Sequence, residues 1–401
     1  MKLKLSREKR LLIYKILLFA FAFVLAFMPV TASRNIEVNS RVIVEMLGVD
    51  KTDEGLEITA QYVTPSDADK SSTKDKVSVK ADSLTMAIDA LDVALGRRVD
   101  LGQCSVVVAG AELDTDVLGT LLTATDVTAD VYLTASTDKA GELVGDLTEL
   151  MKKTGVTDAD FIAYSCKRAH IATTTLLKFL SDLNSASHTA YLPVVEMIES
   201  ESDGQGGSSG GEQGGGGSSG GGEQSGQSGG EQAQKEKTGM KVEKLAVYNT
   251  NGRAGVLESD AARGVAWASS HVENSIIVAD VEYDGETIRD VSGRLVKKKS
   301  VVKVDAKNNK ATVELCVTIE PNGDKFNILD AKNSGDVIGA VKAGFADKIK
   351  SELDAAYRDS IELDCDPLFI GREFHRREPE YFSTLELETV DVAFDVNVTL
   401  K

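Results

Sequence analysis

From Ser202 to Lys237 the chain is built almost entirely of Gly, Ser, Gln and Glu. A stretch with so little apolar surface cannot offset the entropy of ordering its backbone. It is therefore expected to be disordered, and every packed core must be built from the residues on either side of it. Fifteen of the 35 glycines fall between Gly204 and Gly230, so the flanking parts have ordinary glycine content. As a coil of about 28 residues the segment would span roughly 30 Å. It could tether two domains or enlarge a loop inside one. Closing a loop costs only about 0.6 kcal/mol more per doubling of length, so both options are open.

The second constraint lies at the N-terminus. Lys2, Lys4, Arg7, Lys9, Arg10 and Lys15 stand against the single acid Glu8, a net +5 within the first 32 residues, which leaves −23 on the rest of a chain whose total is −18. An apolar run from Ile16 to Met28 follows, then Pro29-Val30-Thr31-Ala32-Ser33. This order matches a signal peptide cleaved between Ala32 and Ser33. It also matches an uncleaved anchor, because the 20 residues from Leu11 to Val30 reach roughly 30 Å as a helix. In both readings the basic end stays inside and the body is exported. A body this acidic repels nucleic-acid phosphates and anionic lipid headgroups, so membrane attachment is confined to the N-terminal segment.

Hydrophobic periodicity gives an α+β chain. Arg41–Val49 and Leu56–Tyr62 read as strands around the turn Asp50–Gly55. Leu84, Ala87, Ile88, Leu91 and Leu95 recur at helical spacing between the cap Asp82-Ser83 and Gly96. Strands are expected at Cys104–Ala109 and Asp130–Ser136, and helices at Thr115–Ala124, 138–153 and 173–184. Past the Gly/Ser segment, strands are expected at 242–249, 253–258 and 263–267, then a strand-dense region from Ser275 to Ile319. A long helix follows over 335–362. Its row Val337, Val341, Phe345, Ile349, Leu353, Tyr357 and Ile361 drifts about 40° per step, so it requires either a bend near Gly344 or more than one packing partner. Val392, Phe394, Val396, Val398 and Leu400 alternate as a closing strand. Three domains of mainly antiparallel sheets with packed helices are expected: 33–137, 138–271 with the loop 203–237, and 272–401.

Reactive chemistry is not legible. His170, His188, His271 and His375 lack metal-site spacing, and neither a nucleophile elbow nor a phosphate loop is present. Nothing implies a cofactor. Cys104, Cys166, Cys316 and Cys365 are far apart and describe no zinc site; their even number permits disulfides and their spacing requires none. The carboxylate pair Asp364 and Asp366 is expected by chance among 63 acids. Trp267 is expected in a core. The basic residues that could dock an acidic partner are Arg97 and Arg98, Lys297-Lys298-Lys299, and Arg376 and Arg377 behind Arg372, each equally readable as a solvated edge.

The order of segments resembles one family. Gly48-Val49-Asp50-Lys51 with Gly55–Thr59 and Pro65-Ser66 resembles the opening of the C-type subunits of spore-germination nutrient receptors, the Ger(x)C-like proteins. Gly96-Arg97-Arg98 through Gln103, with Val106–Leu113, resembles their central block, Gln103 standing where His is usual. Lys244–Tyr248 and Gly264-Val265-Ala266-Trp267 are similar to their paired strands, and Asp366-Pro367-Leu368-Phe369-Ile370-Gly371 with Glu378–Phe382 to the motif after their long helix.

The resemblance implies a non-enzymatic, extracytoplasmic subunit that works with a large A-type and a permease-like B-type membrane subunit at the outer face of the spore inner membrane. It places Tyr191–Glu199 and Met240–Leu257 in one domain, which makes the Gly/Ser segment an overgrown loop. Family members are mostly lipoproteins with a cysteine after the signal peptide. Ser33 stands at that position, which favours the anchor over lipid attachment. An exported solute-binding or scaffold protein is the alternative, and an exported hydrolase a more distant one.

Overall fold

The computed structural model describes residues 15–19, 21, 23, 41–64, 73–156, 161–199, 237–269, 274–322 and 334–401. Ala32, Ser33, His271 and the body of the Gly/Ser segment lie outside them. Contacts divide the chain into Met1–Arg41 and Val42–Lys401. In the first unit, residues 15–19, 21 and 23 are helical and exposed. Among the described residues no helix is long and apolar enough to cross a membrane.

The second unit is α+β, with two mixed sheets. The larger has ten strands, and its main path runs β10-β9-β8-β6-β5-β1-β2-β3. These are β1 (Arg41–Thr52), β2 (Gly55–Thr64), β3 (Thr73–Ala81), β5 (Val106–Ala109), β6 (Tyr132–Ser136), β8 (Ala190–Glu199), β9 (Lys237–Asn249) and β10 (Gly252–Leu257). Short β4 (Arg98–Asp100) pairs with β1, and β7 (Thr174–Thr175) with β6. Four strands form the smaller sheet: β11 (Ile276–Tyr283), β12 (Glu286–Asp305), β13 (Lys310–Pro321) and β14 (Asp391–Leu400). Most ladders are antiparallel, as the alternating strands and short turns imply. Parallel pairing joins β1 to β5, β5 to β6, β6 to β8 and β13 to β14. The continuous apolar run of β5, Val106-Val107-Val108-Ala109, suits a parallel strand covered on both faces.

Glu199 and Lys237 are register partners at the ends of antiparallel β8 and β9. The Gly/Ser segment therefore joins neighbouring strands of one sheet.

The helices lie on these sheets. They are α1 (Leu84–Leu95), α2 (Thr115–Ala124), α3 (Ala140–Thr154), α4 (Phe161–Ala169), α5 (Leu176–Leu183), α6 (Ser259–Ala268), α7 (Ser334–Glu362), α8 (Ile370–Arg377) and α9 (Pro379–Phe382). The Ser83 hydroxyl accepts from Met86 N–H, and Gly96 closes α1 at φ 60°, as the cap signals required.

Residues 263–267, expected as a strand, are helical in α6. Four apolar or small residues in a row suit either element. The Ala- and Gly-rich face of Ser259–Ala268 allows the close helix contact that decided it. The row on α7 is answered by three neighbours, β11, β14 and α6. Gly344 is no hinge. A Cβ there would lie 2.7 Å from the Asp280 carbonyl, so it is the point where α7 crosses β11.

Candidate functional site

Residues that carried the resemblance turn out to make the tightest polar joints. Asp50 is buried at the end of β1 and accepts the Ala140 and Gly141 N–H groups at 2.7 and 2.8 Å, holding the start of α3. Burial pushes its carboxyl upward against those two bonds. Gly110 is needed beside it, because a Cβ there would sit 2.2 Å from Asp50 Oδ1. Asp366 does the same for α8. It accepts Ile370 N–H at 2.8 Å, Gly371 N–H at 2.7 Å and the Ser187 hydroxyl at 2.8 Å. Burial raises its pKa to about 6. The carboxylate pair noted in the sequence is thus no pair: Asp366 is enclosed, while Asp364 turns the chain at φ 49°.

A third joint ties α6 to α7. Gly264 and Trp267 lie one turn apart on the same helix face. The Trp267 indole N–H donates to Glu352 Oε2 at 2.6 Å, and Lys348 Nζ lies 3.2 Å from Oε1. Glu352 is 2% exposed, and its burial raises its pKa. His170 lies against Trp267, ring centroids 3.9 Å apart, with Nδ1 2.8 Å from the Ser275 hydroxyl. Burial holds His170 well below the ordinary imidazole range, so it is neutral. In all three joints fixed donors occupy the carboxylate oxygens, an arrangement that fixes helices. Among the described residues no group of three or more His, Cys, Asp or Glu is placed to hold a metal ion. All four cysteines are free, and burial pushes Cys104 and Cys166 to about 12.

The basic residues separate. Arg97 and Arg98 are exposed at the start of β4, Arg98 3.7 Å from Asp126. Lys297 and Lys299 point outward from β12. Lys298 does not. A bulge between Leu295 and Lys297 shifts the register by one, so the even-numbered residues beyond it face inward. Its ammonium donates to the Ala266 and Ser269 carbonyls at the C-terminus of α6, and burial lowers its pKa to about 7. Lys298 is therefore a helix cap and leaves the set of docking candidates.

Arg376 and Arg377 join Lys178 and Arg372 around a cavity of about 310 Å³ where α5 and α8 meet β8 and β12. The Arg372 guanidinium lies 4.0 Å from the Phe369 ring centroid and Lys178 Nζ 5.3 Å from it. Lys178 and Arg372 both pair with Asp182; Arg376 and Arg377 both pair with Glu373. Tyr191 and Ser300 also line the cavity, and the oxygen of each is buried without a hydrogen-bond partner. Of these residues the sequence pointed only to the arginines of α8. The others are single residues on separate elements with no local motif.

Comparison with known proteins bears on both halves. A family model described as the spore germination protein N-terminal domain matches residues 34–197. A second, described as spore germination B3/GerAC like, C-terminal, matches 243–401. No curated protein matches the chain. A solved structure described as the crystal structure of the GerBC protein is similar over 88% of this chain and 96% of its own, at 12% identity and a TM-score of 0.48. The two matched regions follow one another in order and omit only residues 1–33 and 198–242, so the chain belongs to the Ger(x)C-like family of spore germination proteins.

Proposed function

We propose that the chain is a non-enzymatic, extracytoplasmic subunit of a membrane-associated germinant receptor complex, required for nutrient-triggered spore germination. The observation that carries this reading is the ordered match of both halves to spore germination families. The basic, apolar N-terminus supports placement at the outer face of the spore inner membrane, by a cleaved signal followed by retention in the complex or by an uncleaved anchor. Its partners are an A-type and a permease-like B-type membrane subunit. Arg97, Arg98, Lys297 and Lys299 are exposed cations on an acidic body and are the residues proposed to dock them. A solute-binding role is the second reading, favoured by the cavity beside α8.

Disrupting the gene tests the function. Spores lacking the chain should lose germination with nutrients and keep germination with a non-nutrient agent. Equal loss of both responses would contradict a receptor role.

A further inference from the structure

We propose that the cavity between α5, α8 and β12 binds a small organic anion, a carboxylate or phosphate monoester carried on an apolar body. Three independent features of the cavity converge on that chemistry.

The first is charge. Lys178 and Arg372 share the single acid Asp182, and Arg376 and Arg377 share the single acid Glu373. Two cations per acid leave a local excess of positive charge on a body that is otherwise strongly acidic. Such an inverted patch at a concave site concentrates small anions. Arginine forks suit carboxylate and phosphate oxygens, which they meet with two parallel donors.

The second is an unfilled hydrogen-bond demand. Tyr191 is 1% exposed, and its hydroxyl makes no well-formed hydrogen bond; the Ser269 hydroxyl beside it donates to the Ala266 carbonyl at 3.1 Å. The Ser300 hydroxyl, from the facing strand, is likewise buried and unpartnered. Buried hydroxyls without partners are rare. Both residues line the cavity, and both hydroxyls can donate to an anionic oxygen bound against its wall.

The third is preorganisation and shape. Phe369 is held at φ 57°, a region that a bulky residue seldom adopts, and its ring carries Arg372 on its face with Lys178 nearby. The cations are thereby positioned before any ligand arrives. Leu368, Phe369 and Val302 add an apolar wall, and about 310 Å³ is at the small end of ligand pockets.

This site does not depend on the receptor role, and its test is direct binding. The full chain in detergent is titrated with phenyl phosphate, with benzoate and with benzyl alcohol as the uncharged counterpart, by calorimetry and thermal unfolding. At least one of the two anions should bind and raise the unfolding midpoint by a few degrees near saturation, weakening as NaCl is added, while benzyl alcohol does neither. The double variant Tyr191→Phe/Ser300→Ala should unfold without ligand at or above the wild-type temperature, because it removes two unsatisfied groups, and should bind the anion at least tenfold more weakly. Arg372→Gln should weaken binding as well. Binding of neither anion, equal binding of benzyl alcohol, or wild-type affinity in the double variant would overturn the proposal. So would a clear drop in the unliganded midpoint of the double variant, since the hydroxyls would then already be satisfied within the fold.

Discussion

Replacing Gly264 by alanine should unfold the chain at a much lower temperature, although helix propensity alone predicts a gain of about 1 kcal/mol. An added Cβ would lie 2.0 Å from the Glu352 carbonyl oxygen and 2.6 Å from the Ala356 Cβ. The nearest obstacle is backbone, so no rotamer change relieves the clash and α6 must move off α7. That movement opens the contact around Trp267 and stretches its bond to Glu352, both buried. Overpacking of this kind costs about 3 kcal/mol. Gly339→Ala is the control, since Gly339 lies in the same α7 with nothing within 4 Å of the added carbon. It should leave stability unchanged or raise it. Equal midpoints for the two variants would show that α6 and α7 do not meet as described.

Asp366→Ala should be nearly as damaging. It removes the acceptor for Ile370 N–H, Gly371 N–H and the Ser187 hydroxyl, leaving three donors at a buried site, and costs about 3 kcal/mol at neutral pH. Its pH dependence distinguishes this cause from simple loss of packing. The folded carboxyl titrates at about 6, above the unfolded value of about 3.9. The folded state therefore holds its proton more tightly. The resulting stabilisation is complete below pH ~4 and is lost as pH rises through about 6. Wild type gains this term on acidification and the variant does not, so the gap between them should widen from pH 7 toward pH 4. A gap that stays constant over that range would rule out the buried carboxyl as its source.

Elements with a long, regular period were legible in the sequence. The row on α7, the alternation of β14 and the caps of α1 each mark one element, and the structure keeps all three. Errors fell where several patterns fit or none stood out. The run Gly264–Trp267 is too short to show its period, and only contact with α7 makes it a helix. Thr73–Ala81 places Lys74, Lys76 and Lys80 among its valines, so its apolar signal is weak. It forms β3 at the end of the sheet path, where charged residues discourage pairing with other chains.

The family-like blocks were visible as strings, but their reasons were not. Asp50 and Gly110 are 60 positions apart, yet the glycine is there because the carboxylate occupies the space of its missing side chain. The same limit hid the cavity. Lys178, Tyr191, Ser300 and Arg372 are brought together by a pairing of elements that no local pattern encodes. In the triplet Lys297–Lys299, one bulge decides which lysine turns inward.

In the proposed role this acidic body works as one subunit of a membrane receptor complex. An affinity-tagged full-length chain, expressed from its own locus and extracted from spore membranes in mild detergent, tests it most directly. Multi-span membrane proteins of the A and B types should elute with it in stable proportion. Charge reversal at Arg97, Arg98, Lys297 and Lys299 should weaken their retention. Elution of the chain alone from spores that germinate normally on nutrients would contradict it.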